Sequence, residues 1–295
     1  MAVRARTATS GGASPRARWN RTLSWVPLRL ALIAFTVAWV APIFWMFSTA
    51  VKPEGQVLKY PPEWLPQRFT LENFQIVIDN FPIFRWYLND LITACAATVL
   101  VLITGSLAGY AFARVPFRFK EVVFYSLMLA LLVPPEVTFI PMFIGMSNVG
   151  LGNTYPALFL PLVANAFALF LFREFFEQLP LELEDAARVD GASRWQVYLR
   201  IVLPLSTPVL VAVAILTFMT SWNNFMWPLI IAGSDDTKTL PVGMNQFAPS
   251  FSTVAAVGYG LGMAGTTIIA VPALLVFLLL SRQFMRGVSF TGLKG

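Results

Sequence analysis

The chain has 295 residues, of which 57% are hydrophobic and 12% are charged, with a net charge of +6 and a mean hydropathy of +0.68. Soluble domains are nearer a quarter charged, so this composition predicts an all-α polytopic membrane protein. The sequence has no histidine and one cysteine, Cys95, which excludes a disulfide and the usual histidine or thiolate metal centres.

The N-terminal region combines a basic polar tail with a long apolar run. Residues 1–22 hold five arginines and no acid, which predicts a disordered cytoplasmic tail. Leu30–Val51 contains 22 residues without a charge. A signal peptide is the alternative, but this run is longer than a typical signal core. We therefore expect residues 23–51 to form the first transmembrane helix. Residues 52–86, broken by prolines, are then an extracytoplasmic loop with a short helix near Leu71–Asn80.

Residues 87–282 contain five more apolar runs and form the predicted transmembrane core. The run that forms the third predicted span of the chain is interrupted at Pro134-Pro135-Glu136. Residues 233–255 are predicted to be an outer loop, which either contacts an extracytoplasmic binding protein or only connects two spans. Residues 283–295 form a cytoplasmic tail. The predicted spans are Leu91–Ala113, Glu121–Met146, Pro156–Phe172, Ser206–Ile231 and Val257–Leu280.

The distribution of lysine and arginine predicts the orientation of the six spans. With the N-terminus inside, 16 of the 21 basic residues fall on inner segments and five on outer ones. Because basic residues are enriched on the cytoplasmic side, both termini are expected in the cytoplasm. This topology also accounts for the high isoelectric point, so the basic charge does not indicate a nucleic-acid partner.

A polar segment, residues 181–204, interrupts the apolar runs, and we call it the elbow. Acids in its first turn suit the positive end of a helix, and Glu184 and Arg188 are spaced to pair. Gly191 predicts a left-handed helix end, and Ser193 with Gln196 predicts a capping box that opens a second helix. Pro204 marks the end or a kink of that helix. Its apolar stripe consists of Trp195, Tyr198, Leu199 and Val202.

Within the elbow, Asp185-Ala186-Ala187 is followed after three residues by Gly191, and after nine more by Ile201-Val202-Leu203-Pro204. This spacing resembles the EAA loop of ABC-importer permeases. The one departure is Asp185, where the family pattern has Glu, with Glu184 just before it. An ordinary amphipathic interfacial hairpin is the alternative. PPEVTFIPMF, GLGNTYPALFLP, SWNNFMWPL and the tail SFTGLKG are similar to segments of maltose-type carbohydrate permeases, so the resemblance extends from Asp90 to Gly295.

The resemblance implies a multi-pass permease subunit of the bacterial cytoplasmic membrane that moves a sugar, polyol or oligosaccharide by alternating access. The sequence has no GxxxxGK[ST] motif, so ATP and Mg²⁺ would be bound by a separate ATPase, and this chain would bind no cofactor. The implied partners are a different permease, two ATPase subunits, an extracytoplasmic substrate-binding protein and membrane lipid. The implied ATPase-coupling residues are Glu184, Asp185, Ala186, Ala187, Arg188, Asp190, Gly191, Arg194, Leu203 and Pro204.

Polar residues inside the predicted spans are candidates for the translocation path. Trp222, Asn223 and Asn224 combine amides with an aromatic ring, which suits sugar hydroxyls and ring faces. Hydrogen bonding between helices explains the amides equally well. Glu136 is an acid within a span, where acids are usually functional. The alternative is that the third span is broken there, which would leave Glu136 near the outer interface.

Two other classes of protein remain as alternatives. A secondary transporter or a channel for a small polar solute is one, but it is expected to use ionisable residues within the membrane, and only Glu136 is available. A membrane enzyme is the other, but the sequence offers no histidine, metal-ligand cluster or grouped nucleophile. We therefore expect a transport subunit and no enzyme.

Overall fold

The computed structural model describes residues 26–245 and 258–289, and within these residues the fold is helical without a β-strand. The predicted disordered tail 1–22, the second part of the predicted loop 233–255 and the last residues of the predicted tail 283–295 lie outside the described residues. The α-helices are α1 Val26–Ala50, α2 Glu54–Val57, α3 Glu72–Asn80, α4 Ile83–Arg114, α5 Lys120–Leu129, α6 Pro135–Asn148, α7 Tyr155–Val163, α8 Ala166–Glu177, α9 Leu181–Val189, α10 Arg194–Val197, α11 Leu203–Leu205, α12 Thr207–Trp222, α13 Met226–Ile231, α14 Leu240–Met244 and α15 Tyr259–Ser289.

The long helix α4 lies at the centre of the fold. It has 32 residues, so it is about 48 Å long and exceeds the roughly 30 Å of hydrocarbon in a bilayer. One face packs on α8 so closely that a Cβ on Gly109 would lie 2.5 Å from the Cβ of Phe172. Gly105 and Gly109 are one helical turn apart, and small residues at this spacing let two membrane helices approach closely. Helix α4 begins at Ile83, eight residues before the start of the predicted span.

Several predicted spans consist of two helices with a bend between them. Helices α5 and α6 differ in direction by 102° at Pro134, where the sequence predicts an interruption. Helices α7 and α8 differ by 44°, and Asn165 caps α8 by accepting a hydrogen bond from the Ala168 N–H at 2.8 Å. The segment from Arg194 to Leu205 meets α12 at 77°. The predicted fifth span is also divided, because residues 223–225 separate α12 from α13.

Length and composition give a range for the number of spans in the described residues. Pro27–Ala50 and Ile83–Arg114 are each long and apolar enough to cross a membrane, and the three bent pairs bring the total to as many as five. The apolar part of α15, Tyr259–Leu275, is shorter. The count of six spans therefore stays a prediction. The short helix expected near Leu71–Asn80 is present as α3.

The core is divided into separate clusters that join particular helices. One cluster lies where α4, α8 and the elbow meet, and a second lies where α4, α12, α14 and α15 meet. A third joins α7 to α13 through Trp227, whose indole N–H donates to the Ala157 carbonyl at 2.9 Å. This arrangement ties the elbow to α4 and α8 and the break at 223–225 to the other end of α4.

Candidate functional site

The turn of the elbow has the geometry that the sequence predicts. Helix α9 ends before Gly191, whose φ of 85° is in the left-handed region. The Gly191 N–H donates to the Arg188 carbonyl at 3.0 Å and the Ala192 N–H to the Ala187 carbonyl at 2.9 Å, which is a Schellman motif. Because an added Cβ on Gly191 would meet no atom within 4 Å, the glycine is required by its backbone conformation rather than by space.

The second helix of the elbow begins with the predicted capping box. The Gln196 N–H donates to the Ser193 hydroxyl at 3.3 Å, and the Ser193 N–H donates to the Gln196 amide oxygen at 2.7 Å. A π-helical segment that the sequence does not predict follows at Tyr198–Val202. Such segments are rare and frequently occur at functional sites. The helix continues past Pro204 to Leu205, so the bend into α12 comes at Ser206.

The apolar stripe of the second helix is divided between two environments. Tyr198 and Val202 are buried, and the Tyr198 hydroxyl lies 2.7 Å from the Ser106 hydroxyl on α4. Trp195 and Leu199 are exposed and line an apolar cavity of about 300 Å³ between the elbow and α4. The elbow is therefore a packed part of the bundle with one apolar surface left open.

Glu184 anchors the elbow to the end of α4. Its side chain is 2% exposed, and one carboxylate oxygen lies 2.8 Å from Nε of Arg114 in an ion pair without hydrogen-bond alignment. The other oxygen accepts a hydrogen bond from the Tyr110 hydroxyl at 3.3 Å and lies 3.6 Å from Arg188. Arg114 also donates to the Leu179 carbonyl at 2.6 Å, just before α9. Glu184 thus faces α4, and of the two acids in the motif only Asp185 faces outward.

The outward face of the elbow carries most of the predicted coupling residues. Ala186 is exposed, Ala187 is half-buried against the core, and Asp185 lies 3.8 Å from Arg188. The face therefore combines a small side chain with both signs of charge, which permits close approach and charge pairing with a protein surface. Arg188, Asp190, Gly191, Arg194 and Pro204 are also exposed, and Leu203 is half-buried.

The structure separates the three residues of the Trp222-Asn223-Asn224 candidate. Trp222 is fully buried, stacks on Phe218 and donates from its indole N–H to the Ile269 carbonyl at 3.3 Å. It therefore packs α12 against α15. Asn223 is exposed and its amide donates to the Met219 carbonyl at 2.7 Å, while Asn224 is half-buried. The two amides lie at the non-helical break between α12 and α13.

Two acids within the predicted membrane region have contrasting surroundings. Glu136 is exposed in the first turn of α6, directly after the 102° bend. Asp90 on α4 is fully buried, and neither carboxylate oxygen has a hydrogen-bond partner within the described residues. Asp90 is therefore a second ionisable residue to consider, beside the Glu136 that the sequence analysis singled out. Asp90 directly precedes the predicted span, and α4 begins earlier, so this acid lies inside the helix.

Sequence reasoning also missed the residues that hold the 233–239 loop. The Asn153 side-chain oxygen accepts hydrogen bonds from the Gly233 N–H at 2.8 Å and the Ser234 N–H at 3.2 Å. The Asn89 amide donates to the carbonyls of Asp236 and Lys238 at 2.9 and 2.8 Å. These contacts link positions more than 75 residues apart, and no local pattern in the sequence signals them.

The buried ion pair of Arg114 and Glu184 predicts how substitutions at these two positions change the stability of the chain. Arg114→Met leaves Glu184 buried without its main cation, which typically costs about 3–5 kcal/mol. The double variant Arg114→Met with Glu184→Leu removes both charges and is expected to recover most of that loss. The measurement is the apparent unfolding temperature of the purified chain in detergent. An equal loss in the single and double variants would contradict a paired buried charge.

Comparisons with known proteins agree with this architecture. Residues 76–289 match the family described as binding-protein-dependent transport system inner membrane component. The chain is 35% identical to the lactose transport system permease protein LacG of Rhizobium radiobacter, over 88% of this chain and 92% of that protein. It is 32% identical to the arabinooligosaccharides transport system permease protein AraQ of Halalkalibacterium halodurans, over 92% and 97%. It is also 32% identical to the diacetylchitobiose uptake system permease protein NgcG of Streptomyces coelicolor, over 88% and 85%.

One solved structure has the same fold. It is a chain of a bacterial ABC transporter involved in the import of the acidic polysaccharide alginate, with a TM-score of 0.77 and 20% identity. The match covers 93% of this chain and 100% of that chain. With the family match over residues 76–289 and permease relatives along most of its length, the chain belongs to the family of binding-protein-dependent transport system inner membrane components.

Proposed function

We propose that the chain is the permease subunit of an ATP-driven importer for an oligosaccharide or a related sugar or polyol. The permease relatives named above act on lactose, arabinooligosaccharides and diacetylchitobiose, which are all carbohydrates. Because the chain belongs to the family of binding-protein-dependent transport components, we set aside the alternative of a secondary transporter or channel. The transport energy comes from a separate ATPase, and this subunit supplies no catalytic residues.

The observation that carries the coupling part of the proposal is the two-sided elbow. One side is fixed to α4 by Glu184, Arg114 and Tyr110, and the other presents Asp185 and Ala186 to solvent. A protein that binds the outward face and moves would therefore displace the end of α4. We assign ATPase contact to Asp185, Ala186, Arg188, Asp190 and Arg194, conformation to Gly191, Leu203 and Pro204, and anchoring to Glu184 and Ala187.

The proposal includes the wider assembly and its orientation. A second, different permease, two ATPase subunits and an extracytoplasmic substrate-binding protein complete the complex. Six spans with both termini in the cytoplasm place the elbow on the ATPase side and the 233–239 loop on the side of the binding protein. The almost wholly exposed apolar surface along α1 supports contact with lipid or the second permease.

The coupling role is tested at the elbow turn. Gly191→Val is expected to uncouple or release the ATPase, because a left-handed conformation costs a non-glycine residue roughly 1–2 kcal/mol and a β-branched one more. Gly191→Asn is the matched control, since asparagine tolerates this conformation better. Ala186→Trp should act like Gly191→Val by blocking close approach. Asp185→Glu should be nearly silent.

The readout for these variants is sugar-stimulated ATPase activity of the purified complex, with co-purification of the ATPase as a second measurement. Ala187→Trp is less informative than Ala186→Trp, because Ala187 packs against the core. Normal stimulation in both Gly191→Val and Ala186→Trp would show that the elbow does not couple the subunits.

The orientation is tested by labelling single cysteines in a Cys95→Ser background. Asp235→Cys should react with a membrane-impermeant maleimide added to intact cells, because its side chain is 59% exposed on the proposed outer loop. Arg118→Cys, on the proposed cytoplasmic segment between α4 and α5 and outside the assigned ATPase contact, should react only after the cells are opened. Both sites are exposed, so a difference in labelling reports sidedness rather than burial. The reverse pattern would overturn the topology.

The translocation path is proposed to include Asn223 and Asn224, with Glu136 near its mouth and Trp222 as packing beside it. Asn224→Leu should lower sugar uptake while the complex assembles normally. Ser221→Ala, a buried neighbour that faces the core, should have a much smaller effect. Uptake is measured with lactose, an arabinooligosaccharide and diacetylchitobiose. If Asn224→Leu dissociates the complex instead, the amide serves helix packing.

A further inference from the structure

Residues 58–71, between α2 and α3, expose an unusual amount of apolar surface. We call this stretch the apolar strap. Tyr60 is 92% exposed and Leu65 is 69% exposed. Four other large apolar side chains in the strap are each more than half exposed, namely Leu58, Trp64, Phe69 and Leu71. Soluble surfaces rarely expose contiguous apolar patches of this kind, so the strap indicates a contact that the isolated chain lacks.

The strap is held in place by contacts with the C-terminal end of α1. The Trp64 ring packs edge-on against Trp45 with ring centroids 5.2 Å apart, and the Ser48 hydroxyl donates to the Trp64 carbonyl. The buried ammonium of Lys52 donates to the Glu63 carbonyl and lies 4.4 Å from the centre of the Trp45 ring. Burial lowers the pKa of Lys52, and the Glu63 carboxylate opposes this effect. The strap therefore has a defined position.

That position is beside the C-terminal end of a helix that is long and apolar enough to cross a membrane. Trp45 lies five residues before the end of α1, so the strap folds back alongside the last part of this helix, over a length of about 7.5 Å. On α1 itself, Ile43 and Phe44 are 43% exposed at the same level. The apolar side chains of the strap thus continue the exposed apolar surface of α1 at the point where that surface ends.

A cavity under the strap is also lined mainly by aromatic and apolar side chains. Its volume is about 300 Å³, and it lies where the ends of α1 and α15 meet the strap. Most of its wall is aromatic or apolar, and Lys59 provides one cation at the rim, paired with Glu63 at 2.6 Å. The lining includes Trp45, Leu58, Tyr60, Pro62 and Tyr259. Tryptophan, tyrosine and lysine in this combination are typical of the zone of lipid headgroups.

We infer that the apolar strap is a membrane-interface segment that inserts Tyr60, Trp64 and Leu65 among phospholipid headgroups, with the cavity accommodating part of one lipid. Lipid rather than a protein is the occupant because the strap lies beside Ile43 and Phe44, the last exposed large apolar side chains of a helix of membrane-spanning length. Its aromatic and basic side chains also match the chemistry of the headgroup layer. The inference goes beyond the proposed function, because it depends on neither the substrate nor the ATPase.

The test places a fluorescent probe on the strap. Tyr60→Cys and Leu65→Cys are made separately in a Cys95→Ser background, and Asp236→Cys, 72% exposed on the 233–239 loop, is the control. The full chain, with the subunits that co-purify with it, is labelled with bimane and reconstituted in vesicles of phosphatidylethanolamine and phosphatidylglycerol. Quenching is measured with nitroxide-labelled phospholipid and with aqueous iodide.

Probes at positions 60 and 65 should be quenched several-fold more strongly by the nitroxide lipid than the control is, and more weakly by iodide. Adding Leu65→Glu should weaken lipid quenching at position 60, whereas Leu65→Phe should preserve it. Iodide quenching equal to that of the control would overturn the inference. Shielding from both quenchers would also overturn it, because a protein partner would then cover the strap.

Discussion

The buried ion pair between Arg114 and Glu184 is the interaction on which the placement of the elbow depends. Both side chains are almost fully buried, so removing either one leaves a charge in a medium that solvates it poorly. The pair forms where α4 leaves its apolar run, and Arg114 also holds the Leu179 carbonyl. One arginine therefore fixes both the start of α9 and the acid inside it, which determines the side that the elbow turns outward.

The packed elbow contrasts with the broken helices around it. Tyr198 and Val202 pack into the cluster shared with α4 and α8, so a displacement of the second elbow helix would disturb its contacts with both of these helices. Bends at Pro134, at Asn165 and at Ser206 interrupt neighbouring segments. Backbone breaks inside a membrane require protein partners for their polar groups. Such breaks divide the bundle into short helical units.

The opposite end of the bundle is organised by side chains that bind backbone. Asn153 and Asn89 hold the 233–239 loop through its carbonyls and N–H groups, and Tyr155 donates to Asn89 at 2.6 Å. Asp90, directly after Asn89, has no such partner in the described residues. An unpaired buried carboxyl is costly, so this junction is polar but incompletely satisfied. Trp222 closes the same region from α12 and links it to α15.

Local interactions explain which features the sequence could predict. The left-handed Gly191, the capping box of Ser193 and Gln196, and the break at Pro134 each depend on residues within about five positions, so their patterns are legible without a fold. The apolar runs Leu30–Val51 and Leu91–Ala113 likewise predict the long helices α1 and α4, whereas the runs between residues 121 and 231 are divided into shorter helices. The family resemblance of the elbow rested on this same local spacing, and the family match confirms the membership that it implied.

The tertiary structure alone decided which side each of these residues faces. Glu184 and Asp185 are adjacent and chemically similar, yet only Glu184 lies within reach of Arg114, 70 positions earlier in the chain. Trp222 and Asn223 are also adjacent, and one is buried while the other is exposed. The strap follows α1 and α2 in the chain, but only its contacts with Trp45 and Ser48 place it beside α1. Burial depends on which helices pack together, and that depends on contacts between residues far apart in the sequence.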